Sequence, residues 1–194
     1  MKTKQFYNTI SPLYFIVDFF LSNHKKHLIK AVNQYPTATI LEIGIGHGKH
    51  LKHFNSNRIT GIDNSEKMLA RAKANNHHSV ILKLLDATEV KSLNRQFDIV
   101  ILSHILSTSN QPNKILLAAS SVLNKGGKLI IINHFSSRSL PGFLEKTFQP
   151  IAKVFHFKSY FPLENLTALK TFRPLKALKF GTLNSYKLLI FEKT

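Results

Sequence analysis

The stretch Thr39-Ile-Leu-Glu-Ile43, running directly into Gly44-Ile-Gly-His-Gly48, constrains the fold more than any other. A short apolar run that ends in glycines reads as a buried strand feeding a tight loop. Glycines at that point let a backbone approach a ligand closely, and let the N-terminus of the next helix face it. A dinucleotide fingerprint would be G-x-G-x-x-G; here the third glycine comes one place early and Lys49 holds the frame position. Glu42, inside the strand end, would repel a diphosphate. It favours a ligand with a cationic or neutral group near the loop.

The rest of the chain repeats the strand-then-helix rhythm. A short helix through Leu51 and Phe54 leads to a second strand over 58–63. Ser65 can cap a helix carrying Met68, Leu69 and Ala72. A third strand covers 80–85 and ends at Asp86, a fourth covers 97–102, and a helix covers 113–123. Asn124-Lys-Gly-Gly127 then turns into a fifth strand over 128–133. Such alternation predicts an α/β fold, a mostly parallel sheet with helices on both faces. The ending differs: 175–182 alternates, Asn184-Ser185 can turn, and 186–192 is apolar again, an antiparallel hairpin added to the sheet. At the other end, 12–32 reads as one or two helices with Pro12 in the first turn. The expected organisation is an N-terminal helical lid over 1–35 and a main domain over 36–194. Within the latter, 135–174 is an insertion holding seven of the fifteen Phe.

Three of the ten acidic residues fall at strand ends: Glu42, Asp63 and Asp86. Ligands of open α/β sheets bind outside those ends. Asp63 follows Gly44 by 19 residues, the spacing at which a carboxylate accepts both hydroxyls of a ribose lying over the glycine loop. Asp86 is placed to meet an exocyclic amine of adenine. Singly, each has a plainer reading, and Asp63 can instead cap the helix that begins near Ser65. Jointly, in this order, they point to a nucleoside site.

Composition narrows the partners. Lys and Arg number 27 against 10 Asp and Glu, a formal net charge of +17. That excess favours nucleic acid, acidic lipid headgroups or an anionic substrate. The absence of Cys excludes disulfides, thiolate zinc sites and thiol nucleophiles, and suits a reducing cytoplasm. Near the N-terminus the longest apolar run, 13–21, is broken by Asp18 and falls short of the roughly 20 residues that span a bilayer. His47, His50 and His53 recur every third residue, but His47 belongs to the glycine loop and no third strong ligand is near, so no metal site is expected.

The segments 40–48, Gly61-Ile-Asp-Asn-Ser-Glu-Lys-Met-Leu69, Leu85-Asp-Ala87, Phe97-Asp-Ile-Val100 and Leu123-Asn-Lys-Gly-Gly-Lys-Leu129 together resemble the successive motifs of class I S-adenosylmethionine-dependent methyltransferases. The resemblance implies a Rossmann-like seven-stranded sheet whose last two strands are the hairpin. It implies S-adenosylmethionine as cofactor and S-adenosylhomocysteine as product. By the same resemblance, Glu42 with Gly44, Gly46 and Gly48 faces the methionine part, and Asp63 takes the ribose hydroxyls. Asn64 and Met68 flank the adenine, Asp86 and Ala87 meet its edge, and Ser103 and His104 lie toward the methyl group.

The flanks suggest the acceptor. Tyr7-Asn-Thr-Ile-Ser-Pro12-Leu-Tyr14 and Ile131-Ile-Asn133-His134-Phe135 resemble segments of soluble bacterial phosphatidylethanolamine N-methyltransferases, with Phe15 where an Asp usually follows the second Tyr. The implied activity is methylation of the amine of an aminophospholipid, on the cytoplasmic side of the membrane and peripheral to it. His104 and His134 are candidate bases, and Tyr7 and Tyr14 candidates to cover the cofactor and orient the amine. Arg138, Lys146 and Lys158 can hold a lipid phosphate. Basic, Phe-rich segments over 13–32 and 143–158 suit an anionic interface. The plainer reading is an apolar face packed on the sheet with solvated Lys. A soluble small-molecule acceptor is the alternative, RNA a weaker one, since Ser103-His-Ile-Leu106 stands where base-amino methyltransferases carry N-P-P-Y. No obligate protein partner is expected.

Overall fold

The computed structural model describes residues 25–56, 58–76, 80–135, 161–181 and 186–194. Tyr7 and Tyr14, the lid before residue 25, the greater part of the Phe-rich insertion with Arg138, Lys146 and Lys158, and the turn at 184–185 all lie outside the described residues. Seven strands form one sheet: β1 (Ile40–Ile43), β2 (Ile59–Asp63), β3 (Ile81–Leu84), β4 (Phe97–Ser103), β5 (Leu123–His134), β6 (Phe172–Phe180) and β7 (Tyr186–Lys193). Their order is β3-β2-β1-β4-β5-β7-β6. The first five are parallel neighbours, and β7 enters antiparallel between β5 and β6.

The helices lie on both faces, as the alternation predicts. α1 (residues 25–32) buries Leu28, Ala31 and Val32 with Ile40, Ile99, Ile101 and Ile130. Over those residues the apolar face packs on the sheet while Lys26 and Lys30 stay exposed, so the plainer reading of that segment holds there. α2 (Glu66–Asn75) starts at Ser65, whose hydroxyl accepts the Met68 N–H at 3.4 Å. On the opposite face, α3 (Pro112–Ser121) buries Ile115, Leu116 and Ala119 against Leu41, Ile43, Val100 and Leu102.

Alternation along each strand explains this two-sided core. In β1, Leu41 and Ile43 point to the α3 face, and Ile40 to the α1 face. Two local expectations change. The helix expected through Phe54 is a single 3-10 turn, Leu51–His53. The turn expected at 124–127 is a bulge inside β5: Phe97 pairs with Leu123 but Ile99 already pairs with Lys128. Asp98 holds it together. Its Oδ1 accepts from Asn124 Nδ2 at 2.8 Å, and its Oδ2 accepts from the N–H and hydroxyl of Thr39 at 2.8 and 2.7 Å. Those bonds, the Thr39 hydroxyl first, hold the Asp98 carboxyl below the usual carboxylate range.

Candidate functional site

A cleft of about 670 Å³ opens at the carboxyl ends of the parallel strands. Its size falls within the ~300–1,000 Å³ of small-molecule sites. One wall is the glycine loop. After β1 the chain crosses toward β2, with the N–H groups of Gly44 and Ile45 both donating to the Ile62 carbonyl at 2.9 Å. This crossing needs positive φ, 74° at Gly44 and 59° at Gly46. A side chain on Gly44 would press on Ile105 at 2.9 Å, whereas Gly46 faces open space. That open space is the cleft, which both glycines line.

Asp63 ends β2 beside the loop. Its Oδ2 accepts the Gly46 N–H and its Oδ1 the Ser65 N–H, each at 2.9 Å. Both readings of this residue therefore meet in one carboxylate, which braces the helix start and also lines the cleft. Burial raises its pKa, and the N–H bonds from Gly46, Ser65 and Asn64 oppose that rise. Asn64 and Met68 follow on the same wall, and Asp86 and Ala87 stand beyond β3. Asp86 Oδ1 accepts from both the N–H and the hydroxyl of Thr88, at 2.9 and 2.7 Å.

Ser103 and His104 form the end of the cleft after β4. The Ser103 hydroxyl oxygen is buried and has no hydrogen-bond partner among the described residues. His104 has φ of 58°, a conformation that non-glycine residues adopt at a cost of about 1–3 kcal/mol and that gathers at functional sites. The His104 N–H donates to the Ile132 carbonyl at 2.8 Å, pinning the strained residue to β5.

Among the described residues, three of those predicted do not line the cleft. Glu42 is fully buried one position inside the β1 end, with Oε2 2.7 Å from His50 Nε2. Its Oε1 has no hydrogen-bond partner among the described residues. Gly48 is packed against Asn76 and Ala72 at the base of α2. His134 closes β5, with its ring 5.4 Å from that of Tyr186, edge to face. The His104 ring meets Tyr186 in the same manner at 5.9 Å. Burial alone lowers the pKa of His134 and raises that of Tyr186. Behind them the fully buried Asn133 accepts from the Ser107 hydroxyl at 3.3 Å and donates to the His134 carbonyl at 2.7 Å.

Sequence reading missed two parts of this site. The polar loop from Thr108 to Gln111 closes one side of the cleft, and its run of Thr, Ser, Asn and Gln before Pro112 was the available signal. Tyr186 carries no local signal. It meets His134 because β7 pairs with β5 in a register that sets these two residues opposite each other.

The cleft fits S-adenosylmethionine on its own features: a loop that presents only Gly44 and Gly46 to it, a half-buried carboxylate at a strand end, and an unsatisfied hydroxyl at the far wall. Residues 41–131 match the family model described as "Methyltransferase domain". The chain is 30% identical over 136 residues to "Phosphatidylethanolamine N-methyltransferase" of Cereibacter sphaeroides, covering 66% of this chain and 67% of that protein. A SAM-dependent methyltransferase of Thermotoga maritima superposes with a TM-score of 0.70 at 18% identity, covering 98% of this chain and 99% of the other. The N-methyltransferase NodS of Bradyrhizobium japonicum, in complex with S-adenosyl-l-homocysteine, superposes with a TM-score of 0.68 at 14% identity, covering 89% and 86%. The two superpositions establish the fold, and the sequence match establishes kinship. This chain belongs to the S-adenosylmethionine-dependent methyltransferases, with a bacterial phosphatidylethanolamine N-methyltransferase among its relatives.

Proposed function

We propose that the protein transfers the methyl group of S-adenosylmethionine to the amine of an aminophospholipid such as phosphatidylethanolamine, at an anionic membrane surface facing the cytoplasm. The observation that carries this reading is the kinship to the Cereibacter sphaeroides enzyme, over a stretch longer than the 41–131 domain match. The net charge of +17 supports attraction to acidic lipid. No helix among the described residues is long and apolar enough to cross a membrane.

The cofactor supplies an activated methyl on a sulfonium, and the protein's task is alignment. Holding nucleophile and methyl in line is worth about 7–11 kcal/mol of barrier. In this reading Asp63 holds the ribose hydroxyls, Asn64 and Met68 the adenine faces, and Asp86 and Ala87 its edge. The glycine loop and Glu42 take the methionine part. Ser103 and His104 stand at the reacting end. An amine must lose its proton before it attacks, so a neutral imidazole nearby is useful. Burial keeps His134 neutral at neutral pH, and its Tyr186 contact ties it to His104. Tyr7 and Tyr14 complete the reading by covering the cofactor and orienting the amine.

The test is transfer from methyl-labelled cofactor to vesicles containing phosphatidylethanolamine, followed by partition between organic and aqueous phases. Label should enter the organic phase and migrate with the monomethylated lipid. Label that stays in the aqueous phase when a cell extract is supplied beside the vesicles would contradict a lipid acceptor, and point to a soluble amine or RNA.

A further inference from the structure

Beneath the glycine loop lies a polar chain, Lys25–His50–Glu42, of which the proposed transfer uses only Glu42. Lys25 Nζ, at the start of the described part of α1, stands 3.0 Å from His50 Nδ1. His50 Nε2 stands 2.7 Å from Glu42 Oε2. His50 is 4% exposed and Glu42 0%. An ammonium only donates, so His50 Nδ1 accepts from Lys25, and the imidazole proton sits on Nε2 and is donated to Glu42. One imidazole ring thus joins the Lys25 side chain on α1 to the Glu42 side chain on β1. Burial is the first cause that holds His50 below its ordinary pKa. Lys25 and His47 act in the same direction, and Glu42 opposes them.

The other end of this chain is buried and unpaired. Glu42 Oε1 is buried without a hydrogen-bond partner among the described residues, and an unsatisfied buried carboxylate oxygen is costly. Glu42 sits two residues before Gly44, which lines the cleft. A carboxylate held on one oxygen and bare on the other can accept one further donor.

We propose that Lys25 and His50 are positioning residues that hold the Glu42 side chain oriented for the ammonium of the methionine part of S-adenosylmethionine, so that the seating of α1 is coupled to occupancy of that half of the cleft. This rests on the reading of the cleft as the cofactor site. His50 acts through Glu42 and touches neither methyl donor nor acceptor.

Two probes separate the halves of the cleft: S-adenosylhomocysteine, and 5′-methylthioadenosine, which keeps nucleoside and sulfur but lacks the amino-acid end. Both are titrated by calorimetry into the full-length protein. His50→Leu should weaken S-adenosylhomocysteine about tenfold or more, the effect of losing one charge-assisted contact, with 5′-methylthioadenosine unchanged. His50→Gln, whose amide can accept from Lys25 and donate to Glu42, should restore affinity to within about threefold of the wild type. Lys25→Met should lower the affinity ratio of the two ligands in the same direction, and it reads the pair if His50→Leu fails to fold. An unchanged ratio in Lys25→Met and in a folded His50→Leu overturns the proposal and leaves the cofactor site standing. Failure of the wild type to bind either probe overturns the cofactor site itself.

Discussion

Asp63 Oδ2 accepts the backbone N–H of Gly46 at 2.9 Å, so the end of the second strand is tied to the loop that leaves the first. One carboxylate shapes the loop, starts α2 through Ser65 and presents itself to the cleft. Burial raises its pKa, so the charged form is held in the protein at a cost. Asp63→Asn removes that charge together with one acceptor. Cofactor-product affinity should fall about 100-fold, as two charge-assisted hydroxyl contacts are lost, while the backbone N–H left without its acceptor lowers stability by about 1–3 kcal/mol. Calorimetric titration beside a melting curve checks both, and a large loss of stability at unchanged affinity would assign Asp63 to the scaffold alone.

Gly61 supports the same loop from below. A Cβ there would stand 2.0 Å from Ile45 Cδ1, with Ile45 buried in the loop. Gly61→Ala should therefore destabilise the protein by about 1–3 kcal/mol, the usual cost of overpacking, and weaken the cofactor product through displacement of Ile45. Chemical denaturation gives the first number, and a variant as stable as the wild type would show that Ile45 moves freely.

Asp98 is a structural counterpart far from the cleft. Its pKa is depressed, first by the Thr39 hydroxyl, so its contribution is present above the ordinary carboxylate pKa and is lost as pH falls through its lower folded value. Asp98→Ala should cost about 1–3 kcal/mol at neutral pH, and less as the pH approaches that lower value. Denaturation midpoints at neutral and acid pH read the difference.

His134 works in the opposite sense. Burial lowers its pKa in the folded state, so below about pH 6.5, the unfolded value, the unfolded chain takes a proton that the folded one resists. Stability should fall as pH drops through that window. His134→Gln should show a smaller drop in melting temperature between pH 7.5 and about 5.5, and an identical drop in both proteins would mean that His134 is not the group responsible. In the proposed mechanism the same substitution lowers kcat more than KM for the acceptor.

The parallel strands were legible as apolar runs, the first three closed by a glycine or a carboxylate, and their observed carboxyl ends fall close to those expected. The cleft was legible for the same reason: Gly44, Gly46, Asp63 and Asp86 sit at strand ends, which the topology gathers along one rim. What local pattern did not carry was tertiary register. The bulge at 124–127 exists because Asp98 on β4 binds Asn124, and Tyr186 reaches His134 only through the β5–β7 pairing. His50 belonged to a three-residue repeat of His, yet its partners are Lys25, from a helix 25 residues before it, and Glu42, from the strand eight residues before it.

The most direct measurement is a crystal structure grown with S-adenosylhomocysteine at millimolar concentration. The ribose hydroxyls should lie on the Asp63 carboxylate, the adenine edge beside Asp86 and Ala87, and the sulfur toward Ser103 and His104. A cleft that stays empty under those conditions, or a nucleoside bound elsewhere on the molecule, would contradict the account.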